Sequence, residues 1–154
     1  MSYSLWLLAH LTGVIVWVGG MFFAHMALKP AAALTLAPPQ RLPLLAATLT
    51  RFFAWVSASI IVILASGVAL IMLFAGNGAR LGAHIHAMTA IGIVMFAIFG
   101  HLRFALLPKL RTAVAAKDWP AGGAAMARIA RLVLVNLGLG LTATVIVFVG
   151  RGWT

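Results

Sequence analysis

Four long stretches of apolar residues dominate the hydrophobic pattern of this chain, and none of them contains Lys, Arg, Asp or Glu. They cover residues 5–28, 52–75, 84–102 and 132–150. About 20 apolar residues in a helix cross the hydrocarbon core of a bilayer. The pattern therefore predicts four transmembrane helices, at about residues 4–28, 50–75, 83–107 and 127–150.

The segments between these stretches are rich in proline, glycine or basic residues, which mark breaks between helices. They are a Pro- and Ala-rich connection at 29–50, a short glycine turn at 76–78 and a basic segment at 103–131. Helical patterns at 48–53 and 124–131 predict that the second and fourth helices continue beyond the membrane. We expect a single membrane domain over residues 1–154, folded as an all-α, up-down-up-down bundle of four helices.

The composition agrees with a membrane protein and excludes other classes. Hydrophobic residues make up 64% of the 154 residues and charged residues only 8%, whereas an average soluble domain is about one quarter charged. A soluble globular monomer is therefore excluded. The chain has no cysteine, which excludes disulfide bonds and thiolate metal sites. It also lacks paired carboxylates and a phosphate-binding glycine loop, which argues against hydrolysis and nucleotide chemistry.

The basic residues are distributed unevenly along the chain. There are 11 Lys and Arg against a single acid, Asp118. Nine of these 11 lie in or beside the first and third connections, and only Arg80 and Arg151 lie on the other side. Because cationic loops resist translocation, the first and third connections are predicted to be cytoplasmic and both termini to lie outside. This topology accounts for the basic excess without any nucleic acid partner.

Five histidines carry the polar chemistry of the predicted spans: His10, His25, His84, His86 and His101. Ionisable residues at membrane depth are costly, and they face the bundle interior or a ligand. His10 and His25 on the first helix are 15 residues apart, and so are His86 and His101 on the third. This spacing gives about 22 Å of rise and about 60° of rotation beyond four full turns, so each pair lies near one helix face. We predict that His10 faces His86 at the outer level and that His25 faces His101 at the inner level.

Two imidazoles from different helices at matching depth suit axial ligation of a haem iron in a bundle core. The first hypothesis is therefore one or two b-type haems, ligated by these two histidine pairs. Three arginines at the inner level are available to pair with haem propionates: Arg51, Arg103 and Arg131. Such a protein moves electrons across or at the membrane, as an oxidoreductase of the cytochrome b kind, with quinone, superoxide or another redox protein as partner.

Copper is the alternative ligand. Imidazole and thioether groups bind copper well, and Met26 directly follows His25 in the sequence. All five histidines are candidate metal ligands under this hypothesis, with His84 and His86 forming an outer His-x-His pair. A third hypothesis is a structural membrane subunit that binds no cofactor. The sequence leaves open whether the chain forms a homo-oligomer.

Several short motifs are shared with a known family of membrane proteins. They are His10-x6-Trp17-x-Gly19-Gly20-x-Phe22-Phe23, Pro30, Arg51-Phe52-Phe53, Ser66-Gly67 and Arg131-Leu132-x3-Asn136-Leu137-x-Leu139-Gly140. On these motifs the chain resembles the CopD-type copper resistance proteins. The resemblance implies copper import or copper tolerance across the inner membrane of a bacterium, with His10, His25, His86 and His101 as the residues that fit the role of ligands.

The pattern of the first helix is also similar to HemJ-type protoporphyrinogen oxidases, which bind haem. Their lysine on the third helix has no counterpart here, since no predicted span contains Lys, and Ala24-His25-Met26 replaces their Leu-Pro-Arg. These departures argue against porphyrin oxidation. In layout, the histidine bundle resembles the small di-haem cytochromes b that exchange electrons with quinone or superoxide.

Overall fold

Four long helices make up nearly all of the chain in the computed structural model, which describes residues 3–76 and 81–150. They are α1 (Tyr3–Thr35), α2 (Pro38–Gly76), α3 (Ala83–Ala115) and α4 (Trp119–Gly150). Each is long and apolar enough to cross a membrane, and the described residues contain no strand. The prediction of an all-α, four-span membrane bundle is confirmed.

The helices extend much further than the predicted spans, and the difference lies at one end of the bundle. The 29–50 and 103–131 segments, expected as connections, are almost entirely helical, and only residues 36–37 and 116–118 interrupt them. Pro38 and Pro39 did not break a helix because they occupy the first turn of α2, where a missing N–H has no helical partner to lose. The predicted glycine turn at 76–78 falls partly outside the described residues, and the two outer cations Arg80 and Arg151 fall entirely outside them.

The sole acidic residue shapes the turn between α3 and α4. The backbone N–H of Ala121 donates to Asp118 Oδ1 at 3.0 Å, which places the carboxylate at the N-terminus of α4 as a helix cap. Lys117, just before it, has φ 56°. A non-glycine residue in this left-handed region is uncommon, and here it allows the chain to reverse within three residues.

Two of the helices contain π-helical segments, in which the hydrogen bonds skip one extra residue. In α1 they are Ile15–Gly19 and Phe23–Leu28, and in α3 the segment is Leu102–Leu106. Such segments are rare and occur frequently at functional sites. Trp17 and His25 both lie within the π segments of α1.

The helices pack mainly in two pairs, α1 with α2 and α3 with α4; α4 also contacts α1 and α2, and α2 contacts α3. We call the end of the bundle that carries the α1–α2 turn and the α3–α4 turn the basic end. Its core is densely packed by leucines and one isoleucine that are at most 5% exposed: Leu42, Leu45, Leu49, Leu106, Leu107, Leu110 and Ile129. At the opposite end, called the far end, residues 3–12, 83–94 and 141–150 include no buried residue.

Candidate functional site

His10 is held against α2 by hydrogen bonds to one of its two ring nitrogens. Nδ1 lies 3.2 Å from the carbonyl oxygen of Ile63 and 3.1 Å from Ser66 Oγ. A carbonyl oxygen only accepts, and the Ser66 hydroxyl already donates to the carbonyl of Val62 at 2.6 Å. Nδ1 therefore carries the proton and donates, which leaves the lone pair on Nε2.

Close contact between α1 and α2 brings His10 to this position. A Cβ on Gly13 would lie 2.8 Å from Ile63 Cγ1 and 3.2 Å from the carbonyl oxygen of Ser59, so only glycine allows the two backbones to approach this closely. Gly67 lies beside the ring, since its Cβ position is 3.5 Å from His10 Cε1. Ser66 is only 1% exposed, so the partner of His10 is shielded from the surroundings of the bundle.

An aromatic layer separates His10 from the basic end. Trp17 stacks on Phe96 with ring centroids 5.6 Å apart and contacts Phe99 edge-on at 6.0 Å. Phe53 of α2 contacts Phe99 edge-on at 5.4 Å. We call these four residues the aromatic layer; they join α1, α2 and α3 about midway between His10 and His25 along α1. Edge-on and stacked geometries of this kind stabilise the contact beyond simple burial.

His25 lies beside a cavity of about 140 Å³ on the basic-end side of the aromatic layer. The walls are mainly apolar and come from α1, α2 and α4, with His25, Lys29 and Thr48 as the polar contributors. His25 Nδ1 is buried and has no hydrogen-bond partner among the described residues. The cavity is therefore an apolar space between three helices, with the residues His25 and Lys29 in its wall.

The other predicted site residues lie apart from these two histidines. His86 and His101 are both exposed, and His84 packs where the start of α3 meets the end of α4, with its Cβ 2.5 Å from the position of a Cβ on Gly150. The hydrogen bonds of His10 run to α2 rather than to α3, and the His10–His86 and His25–His101 pairs stay predictions.

The arginines expected to pair with haem propionates do not converge on a buried site. Arg51 and Arg131 are exposed and Arg103 is half-buried. Across residues 3–76 and 81–150, no three His, Cys, Asp or Glu side chains are grouped so as to hold a metal ion. A metal site in this bundle must therefore use fewer such ligands or recruit other side chains.

Two polar residues at the core were not assigned a role from the sequence. Ser66 is the hydrogen-bond partner of His10, and Asn136 is 0% exposed on α4. Both occur in the motifs that carry the family resemblance, which is the signal that could have singled them out. Serines in transmembrane spans usually bond to their own helix, so Ser66 did not stand out from the other hydroxyls.

The helices and their polar residues define a polytopic α-helical membrane protein with a half-buried, hydrogen-bonded histidine in one span. The family model described as Copper resistance protein D, CopD, matches residues 46–149, more than half of the chain. The chain belongs to the CopD family. The match begins within α2 and so leaves out His10 and His25 on α1. Comparisons with curated proteins and with solved structures gave no match.

Proposed function

We propose that the protein handles copper in the membrane, binding the ion from the far end through His10 and moving it towards the basic end. Copper is the cargo here rather than a resident cofactor. The family supports the class of function, because its members are described as copper resistance proteins. The observation that carries the proposal is the pair of contacts from His10 Nδ1 to Ile63 and Ser66, which assign the ring proton to Nδ1.

A histidine that ligates a metal commonly donates its second ring N–H to a neighbouring oxygen, which fixes the ring and raises its basicity. His10 meets this requirement through Ile63 and Ser66 on α2. Its Nε2 carries a free lone pair, and imidazole is a good copper ligand. On the basic-end side of the aromatic layer, His25 offers a second imidazole beside the cavity.

The charge distribution supports one orientation for this transport. The basic end carries nine of the 11 cationic side chains, so we place it in the cytoplasm and the far end outside the inner membrane of a bacterium. Copper would then enter beside His10 from outside and leave beside His25.

The test is copper uptake into proteoliposomes that contain the purified protein, with Cu(I) kept reduced by ascorbate. His10→Ala should lower the initial uptake rate by at least about tenfold, the scale on which disruption around a metal site acts. The matched control is His101→Ala, since that histidine is exposed and should leave uptake unchanged. Equal uptake by wild type and His10→Ala would overturn the proposal.

The same preparation tests the haem hypothesis, which neither the family match nor the placement of His86 and His101 supports. A visible absorption spectrum of protein purified after expression with ample haem should show no Soret band. A stoichiometric Soret band that is lost in His10→Ala would instead support electron transfer as the function.

A further inference from the structure

Asn136 is the most deeply buried polar side chain that the proposed function leaves without a role. It is 0% exposed, and neither Oδ1 nor Nδ2 has a hydrogen-bond partner among the described residues. By contrast, Thr144 on the same helix donates to a carbonyl four residues earlier. A buried carboxamide with no partner is destabilising, so such a residue is expected to meet a polar group that comes from outside the fold.

The packing around Gly140 fixes the level of Asn136 in the bundle. A Cβ on Gly140 would lie 2.9 Å from Val18 of α1 and 3.2 Å from Met95 Cε of α3. Asn136 lies four residues before Gly140 on α4, one turn closer to the basic end and on the same face. One turn from Val18 in the same direction is Met21.

Two buried thioethers lie within one helical turn of this unpaired amide along the bundle, Met21 at its level and Met95 at the level of Gly140. Met21 is 2% exposed and Met95 is 5% exposed, and both belong to the buried core. The segment Gly20–Phe22 packs against α4, and so does Ala83–His101. Met21, Met95 and Asn136 therefore come from three helices and lie within one helical turn of one another along the bundle axis.

The chemistry of these three side chains suits a soft monovalent cation. Thioether sulfur is a soft ligand that selects Cu(I), and a carboxamide oxygen presents a partial negative charge to any cation. Two methionines alone would be explained by core packing, but core packing does not explain an unpaired amide within one turn of them. We propose that Met21, Met95 and Asn136 form a transient Cu(I) site in the middle of the membrane.

The site lies where a route between the two histidines would need it. Val133, one turn from Asn136 towards the basic end, lines the cavity together with Gly20 and His25. The cavity therefore begins close to the proposed site and reaches His25. Cu(I) would pass from His10 through the aromatic layer to Asn136 and then into the cavity. The proposal rests on the proposed copper function and deepens it.

The decisive variant is Asn136→Leu, measured by Cu(I) competition with a chromophoric chelator in detergent. We expect Cu(I) affinity to fall by at least about tenfold, and Met21→Leu and Met95→Leu to have the same effect. The control is Met72→Leu, since Met72 is 69% exposed and lies at the far end of α2. X-ray absorption of the copper-loaded protein should show sulfur scattering that is lost in Met21→Leu.

A second readout distinguishes a binding role from a structural one. Replacement of an unpaired buried amide by an apolar side chain of similar size should leave the metal-free protein at least as stable to heat as wild type. If Asn136→Leu is clearly less stable and keeps wild-type Cu(I) affinity, Asn136 is structural and the site does not exist. If His10→Ala abolishes uptake while Asn136→Leu alters neither affinity nor uptake, this proposal alone fails. If wild type binds no Cu(I), the copper function fails with it.

Discussion

The proton on His10 decides which atom of the ring is free to bind a ligand. Donation from Nδ1 to Ile63 and Ser66 leaves Nε2 as the acceptor. The other tautomer, with the proton on Nε2, would present an N–H there, which binds no metal. In the proposed function, Ser66 is therefore a positioning residue that acts on copper only through His10.

Ser66→Ala tests this positioning role. Ile63 still accepts from Nδ1 in the variant, so copper affinity should fall by about tenfold rather than vanish. Ser57→Ala is the matched control, because Ser57 also donates to its own helix, to the carbonyl of Phe53 at 2.8 Å. Cu(I) competition in detergent measures both variants. Equal losses in the two would mean that Ser66 acts through the stability of α2 and not through His10.

The sequence predicted His10 and not its partner. An imidazole two turns into an apolar span stands out from the pattern alone, because burial of such a group needs a reason. The neighbour of that imidazole depends on which face of α1 packs against α2, and this is decided by the close approach at Gly13. Asn136 likewise stands out as polar within a span, but only the structure shows that its amide has no partner among the described residues.

At the scale of the helices, the four spans were predictable and their rotation was not. Apolar length fixes where a helix crosses the membrane. The equal 15-residue spacing of the histidine pairs suggested equal rotation, but α1 contains a π segment, Ile15–Gly19, between His10 and His25. A π turn holds more residues than an α turn, so the rotation per residue falls below 100° there. The stretch from His86 to His101 is regular α-helix. The two histidine pairs therefore differ in how far their members are rotated about the helix axis, although their spacing in sequence is equal.

The extent of the helices at the basic end also exceeded the prediction. At 33 residues, α1 is about 50 Å long, well beyond a hydrocarbon core of about 30 Å. The additional turns are stabilised by a shared core, in which Leu42 of α2, Leu110 of α3 and Ile129 of α4 are buried. Tertiary packing of this kind overrides the local signal of prolines and cations.

Gly13 and Gly19 provide a matched pair for the packing of α1. Gly13→Ala should destabilise the protein by about 1–3 kcal/mol, because the new methyl group overlaps Ile63 and the backbone of α2. Gly19→Ala should be neutral or slightly stabilising, since nothing lies within 4 Å of its Cβ position. Thermal unfolding in detergent measures the difference. Equal effects of the two changes would show that α1 and α2 do not approach at Gly13.

At the scale of the whole molecule, the orientation in the membrane can be tested without altering any native thiol, because the chain has no cysteine. Ala116→Cys labels the basic end and Ser4→Cys labels the far end; both positions are exposed. In intact bacterial cells, a membrane-impermeant maleimide should react with Ser4→Cys and not with Ala116→Cys. Reaction with Ala116→Cys alone would show that the orientation is the opposite one, and that the far end with His10 faces the cytoplasm.

The unequal burial along the bundle has a kinetic consequence. Stretches of helix with few buried contacts part from neighbouring helices at little free energy, whereas a packed core comes apart only with global unfolding. Residues 3–12, 83–94 and 141–150 belong to the first kind and the leucine-rich basic end to the second. Within the bilayer the backbone hydrogen bonds of these helices stay closed, so the gradient along the bundle lies in the packing between helices. For copper that enters beside His10 as proposed, we therefore expect fast admission at the far end and slower passage through the aromatic layer.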